Sequence, residues 1–177
     1  MKKVNDTEVY SLKEIEEKLK TEQHRLIHLC EKGVIIPDVG DSSGRGTMRK
    51  FSERNLFEFA LALELRRFLL PLNYIAPIMR VLEAFEKYAA KEVDVFKLPQ
   101  SLQDKTSVGL KLVIAEGMKL IFVLKQGRSE IYLGQLDLES FSKKPSLAGI
   151  RKTVEDPRSS FVSFIEVDLN KIAASLL

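Results

Sequence analysis

A chain of 177 residues with 45% hydrophobic side chains carries enough apolar surface for one domain or two small ones, and two short lobes are expected. Its 28 Lys and Arg against 25 Asp and Glu leave a formal charge of +3, which permits a polyanionic partner but is too slight to announce one. A single cysteine, Cys30, excludes a disulfide framework and a Cys-rich metal site, and no run of about 18 apolar residues offers a membrane span. The expectation is a cytoplasmic protein without metal, cofactor or membrane.

The first element is read from "YSLKEIEEKLK". Ser11 is a good N-cap, Glu14 completes a capping box, and Leu12, Ile15 and Leu19 share one helical face. In "TEQHRLIHLCEKG", Thr21 offers a second N-cap, Leu26, Leu29 and Cys30 form the inner stripe, and Gly33 is a left-handed stop. Two short helices joined by two or three residues form a helix-turn-helix unit, in which the first helix can brace the second against the DNA major groove.

Next come Val34-Ile35-Ile36-Pro37, a brief β-branched run, and Met48-Arg49-Lys50-Phe51, a second candidate strand, which could pair as a hairpin across the glycine-rich "GDSSGRG". Ser52 then caps a long helix with Glu53 in its first turn and Leu56, Phe59, Ala60, Leu63, Arg67 and Leu70 at helical spacing, ended by Pro71. A fourth helix begins at Asn73 or Tyr74, tolerates Pro77 in its first turn and runs through Ile78, Met79, Leu82, Phe85 and Glu86 to about Lys91. The lobe boundary is placed at residues 97–106, giving domains 1–96 and 106–177.

The second lobe reads as an antiparallel meander: "SVGLKLVIAEG", "MKLIFVLKQG", "SEIYLGQLDL" and later "SSFVSFIEVDL", with turns at Glu116-Gly117 and Gln126-Gly127-Arg128. The polar "ESFSKKPSLAGIRKTVEDPRSS" between them is expected as a loop, and Asp168 caps a closing helix. No histidine follows residue 28, and nothing sets the separation of Glu116, Glu130, Asp137 and Glu139, so no catalytic set emerges and the chain is not expected to be an enzyme. Phe122, Tyr132, Phe161 and Phe164 fit either a core or a ligand-binding sheet.

Taken together, "YSLKEIEEKL", "RLIHLCEKGVIIP" and "GRGTMRKFSERNL" resemble the N-terminal DNA-binding domain of the MerR family of bacterial transcription regulators over residues 9–90. The matching positions are Leu26, Gly33-Val34-Ile35 with Pro37, Gly44-Arg45-Gly46 with Arg49, Phe51-Ser52-Glu53 and Leu56. The resemblance implies a winged helix-turn-helix domain of four helices with a small two-stranded wing, which together with the antiparallel β lobe and terminal helix read above gives an α+β chain. It further implies that the second helix enters the major groove while the wing lies on the backbone and minor groove of double-stranded DNA.

Under that reading the outward positions of the second helix are Gln23, His24, Ile27 and His28, with Arg25 at its margin. Gln23 is suited to a base edge, Arg25 and His24 to phosphate. The wing supplies Arg45, Arg49 and Lys50, with Arg54 just inside the next helix and Ser11 at the first helix completing the DNA-binding candidates. Four cations over so short a span would make binding steeply salt-dependent. The chain departs from the family at Ile27, His28 and Leu29, where an arginine and an aromatic pair are usual, so a backbone anchor is missing.

No heptad run follows Lys91, so a homodimer is expected to form through the apolar face of Tyr74 to Phe85 or an edge of the β lobe, with that lobe taking a small-molecule or protein effector. The glycines do not follow the G-x-x-x-x-G-K-[ST] spacing of a phosphate-binding loop. The alternative class is a protein-interaction adaptor that uses the helix pair and β lobe as docking surfaces, which the uncharged Ile27 supports.

Overall fold

The computed structural model describes residues 9–39, 49–91, 119–125, 128–133, 136–137, 151–152 and 163–176. Among them the chain is mixed α+β, with five helices and two small antiparallel sheets. It packs as two compact units that part between Leu72 and Asn73. The expected boundary at 97–106 lies outside the described residues.

The first unit runs β1 (Val9–Tyr10), α1 (Leu12–Leu19), α2 (Gln23–Glu31), β2 (Phe51–Ser52) and α3 (Glu53–Arg67). Ser11 caps α1 as its sequence promises: the Glu14 N–H donates to the Ser11 hydroxyl, and the Glu14 carboxylate accepts from the Ser11 amide at 2.7 Å. Lys20, in the left-handed region at φ 48°, ends the helix, and its N–H bonds the Glu16 carbonyl. Thr21 also donates its N–H to Glu16, which draws it into the turn. The N-cap of α2 is therefore Glu22 and not Thr21, and the Thr21 hydroxyl is buried with no partner among the described residues. Gly33, at φ 65°, turns the chain after α2 so that Val34 and Ile35 drop into the core.

The expected hairpin is corrected. Residues 34–39 form no strand, and Phe51–Ser52 pairs antiparallel with Val9–Tyr10, with Tyr10 opposite Phe51. The reason is packing: Tyr10 and Phe51 are both buried, and the Phe51 ring meets Phe59 of α3 edge-on, centroids 5.3 Å apart. Ser52 caps α3 by accepting the Asn55 N–H. Buried residues surround most of α3, including Leu56, Phe57, Phe59, Leu61, Ala62 and Leu65, as befits a helix at the centre of its unit.

The second unit begins with α4 (Leu72–Lys91) and holds β3 (Lys119–Lys125), β4 (Arg128–Leu133), β5 (Leu136–Asp137), β6 (Arg151–Lys152), β7 (Ile165–Asp168) and α5 (Leu169–Ala174). Helix α4 was expected with the first lobe, but it groups with the sheet, where Tyr74 sets its ring edge-on to Phe122 at 5.8 Å. Pro77 falls in the second turn of α4, not the first, so the helix forgoes the bond its N–H would make to Asn73.

The strand order is β6-β5-β4-β3-β7, all neighbours antiparallel. The pairing of β3 with β4 follows the expected meander, while β5 and β6 extend the sheet beyond β4 and β7 returns to the far side of β3. Strand β6 lies in the stretch expected as a loop. The proposed strand at 107–117, its turn at Glu116-Gly117, and Gln126-Gly127 lie outside the described residues, although Lys125 pairs with Arg128. Leu120, Ile121, Phe122 and Val123 are successive and all buried, so both faces of β3 are covered. Asp168 caps α5 by accepting the N–H groups of Asn170 and Lys171. No described helix is long and apolar enough to cross a membrane.

Candidate nucleic-acid interface

Helix α2 divides by its own periodicity. Leu26 and Leu29 are buried, while Gln23, His24, Arg25 and His28 are exposed on the other side and Ile27 is half-buried. Only Lys20, Thr21 and Glu22 separate α1 from α2. The His24 Nε2 lies 3.5 Å from the Glu22 carboxylate, a solvated contact that a phosphate would have to displace. Ser11 is differently placed: its hydroxyl donates to Glu14 at 2.8 Å and its amide is taken as well, so it serves α1.

The segment entering β2 comes close to α2. Arg49 is exposed, and its positive charge lies near enough to the half-buried Cys30 side chain of α2 to favour the thiolate. Burial pushes the Cys30 thiol up, and Arg49 pulls part of the way back. Lys50 is exposed beside it, and Arg45 lies outside the described residues. Among the described cations of this segment, Arg49 is the one whose charge acts on Cys30 of α2.

Arg54 is turned the other way. Its guanidinium lies 2.9 Å from Glu58, one helical turn on, with side chains only 18% and 12% exposed. Glu58 also accepts from the Asn55 amide at 2.8 Å. Asn55, fully buried, donates to the Ile36 carbonyl and accepts the Asp38 N–H, each at 3.0 Å. The Asp38 carboxylate accepts the Ser52 N–H at 3.0 Å with one oxygen and the Ser52 hydroxyl with the other. Asp38, Ser52, Asn55, Glu58 and Arg54 therefore form one continuous polar network. Sequence reasoning passed over Asp38 and Asn55, although an asparagine between apolar α3 positions is a signal of buried polar partners.

The capping box leaves a pH signature. The Ser11 backbone amide, and after it the hydroxyl, hold the Glu14 carboxyl below its ordinary range. A depressed carboxylate stabilises the fold at pH values above its unfolded pKa, and the contribution disappears as pH falls through the lowered folded value. Glu14→Gln is expected to lower the urea midpoint slightly at pH 7, with the gap to wild type closing in acid. A gap of constant size down through the carboxylate range would refute this account of the cap.

Phe122 and Tyr132 are buried, Tyr132 donates to Glu130 at 2.9 Å, Phe164 is exposed, and Phe161 lies outside the described residues. Ile75, Ile78, Met79 and Phe85 of α4, once candidates for a dimer face, are also buried. Among the described residues no group of three or more His, Cys, Asp or Glu could hold a metal ion. No family model and no curated protein matches this chain.

Proposed function

We propose that the chain is a cytoplasmic DNA-binding transcription regulator of the MerR type, with residues 9–90 reading double-stranded DNA and the β-rich lobe serving dimer assembly or an effector. The observation that carries this reading is the approach of Arg49 to α2, a helix whose outer face exposes Gln23, His24, Arg25 and His28. A helix with exposed hydrogen-bonding side chains enters the major groove, while cations from a neighbouring segment take phosphates at its side.

Within this reading α1 braces α2 as a helix-turn-helix, and the segment around Arg45, Arg49 and Lys50 acts as the wing. Gln23 addresses a base edge. Arg25, Arg49 and Lys50 neutralise phosphates, with His24 and His28 at the margin of the contact. Arg54 supports α3 through Glu58 in place of reaching DNA, and Ser11 acts through the α1 cap.

The test is a salt titration of binding to a duplex carrying the upstream region of the gene itself. Wild type is expected to bind it in preference to a scrambled duplex. An Arg45→Ala, Arg49→Ala double variant is expected to bind roughly tenfold more weakly, with the log-log salt slope shallower by about 2. No preference for the upstream duplex and an unchanged slope in the double variant would overturn the regulator reading and favour the adaptor, which the uncharged Ile27 supports.

A further inference from the structure

We propose that Asp38 is a positioning residue for DNA binding: its carboxylate clasps the start of α3 and so sets where Arg49 and Lys50 present their charges. This rests on the DNA-binding reading above. The segment 49–52 is held on one side by β1, through the pairs Val9 with Ser52 and Tyr10 with Phe51. On the other side Asp38 takes both the backbone N–H and the hydroxyl of Ser52, two residues beyond Lys50.

The clasp is itself anchored. The Asp38 N–H is fixed by buried Asn55, and Asn55 also holds the Ile36 carbonyl. The Ser52 hydroxyl that donates to Asp38 accepts the Asn55 N–H, so the same bonds cap α3 and grip residue 38. An exposed carboxylate close to a cationic segment repels DNA, and by charge alone its removal strengthens binding. A positioning role predicts the opposite sign when the hydrogen bonds are lost, because cations that are no longer held in place must be ordered when DNA binds.

Two variants with the same charge separate these effects. Asp38→Asn keeps an oxygen for the Ser52 N–H and offers an amide donor to its hydroxyl, whereas Asp38→Ala keeps neither bond. In the full-length protein, titrated against a mixed-sequence DNA duplex, Asp38→Ala is expected to bind roughly tenfold more weakly than Asp38→Asn at every salt concentration. The salt lines should run parallel, since no phosphate contact is deleted. Amide hydrogen exchange, measured without DNA, should quicken at Lys50 and Phe51 in Asp38→Ala and not in Asp38→Asn.

Equal or tighter binding by Asp38→Ala, with exchange at Lys50 and Phe51 unchanged, would overturn the proposal and leave Asp38 as a surface charge. Faster exchange spread evenly over α1, α2 and α3 would also overturn it, since that is general loss of stability. If exchange quickens locally but wild type does not bind the duplex, the DNA reading fails and the positioning role falls with it, while the clasp geometry stands.

Discussion

Replacing Asn55 with alanine is expected to lower the free energy of unfolding of the first unit by about 3 kcal/mol, since it removes three hydrogen bonds at once, one of them to a buried carboxylate. The Asn55 side chain is fully buried and makes three hydrogen bonds: from the Asp38 N–H, to the Ile36 carbonyl and to the Glu58 carboxylate. Alanine leaves all three partners short of a bond. Glu58 keeps its ion pair with Arg54, and a buried carboxylate that loses a donor is costlier than a neutral group in the same position. Asn55→Leu is the informative companion, because it restores volume without restoring a single hydrogen bond. Both variants should show a clearly lowered urea midpoint. A loss below about 1 kcal/mol in Asn55→Ala, or recovery in Asn55→Leu, would mean that the network is not the source of the stability.

The second large effect is expected at Phe51. Phe51→Ala should cost about 3–5 kcal/mol, the range for emptying an aromatic site in a packed core. The ring is fully buried, meets Phe59 edge-on and lies in the strand that pairs with Tyr10. Phe51→Leu keeps most of the volume but loses the ring contact, so a cost of roughly 1–2 kcal/mol is expected there. Under the proposed DNA-binding function, because Arg49 and Lys50 directly precede this ring, the alanine variant should also weaken DNA binding more than its lost stability explains at a temperature where it remains folded. Urea unfolding and binding isotherms on the same preparations test both statements. Unfolding that matches wild type would remove Phe51 from the core.

How much of this was legible beforehand depends on the distance over which each interaction acts. The Ser11 and Glu14 capping box, the Ser52 cap, the Asp168 cap and the left-handed Gly33 all lie within a few residues of what they bond, so backbone geometry links residue type to conformation directly. Strands β3 and β4 were equally readable, since both present runs of β-branched and aromatic residues broken at Gly127. Thr21 failed as a cap because the left-handed turn at Lys20 shifted the start of α2 by one residue. The ion pair of Arg54 with Glu58 had a visible i, i+4 spacing, but the basic company of Arg54 suggested a DNA contact instead.

By itself, then, the sequence determined which segments become helices, the caps at Ser11, Ser52 and Asp168, which face of α2 is apolar, and that an α+β chain results. Only the tertiary structure decided that β2 pairs with β1, that Asp38 and Asn55 lock the start of α3, that Arg54 pairs with Glu58 while the charge of Arg49 acts on Cys30, and that α4 groups with the sheet. Caps and periodicity follow from local backbone geometry and leave a mark every few residues. Pairings between segments 14 or more residues apart, such as Asp38 with Ser52, follow from which buried surfaces and polar groups satisfy one another in three dimensions, and a single sequence carries no periodic trace of that choice.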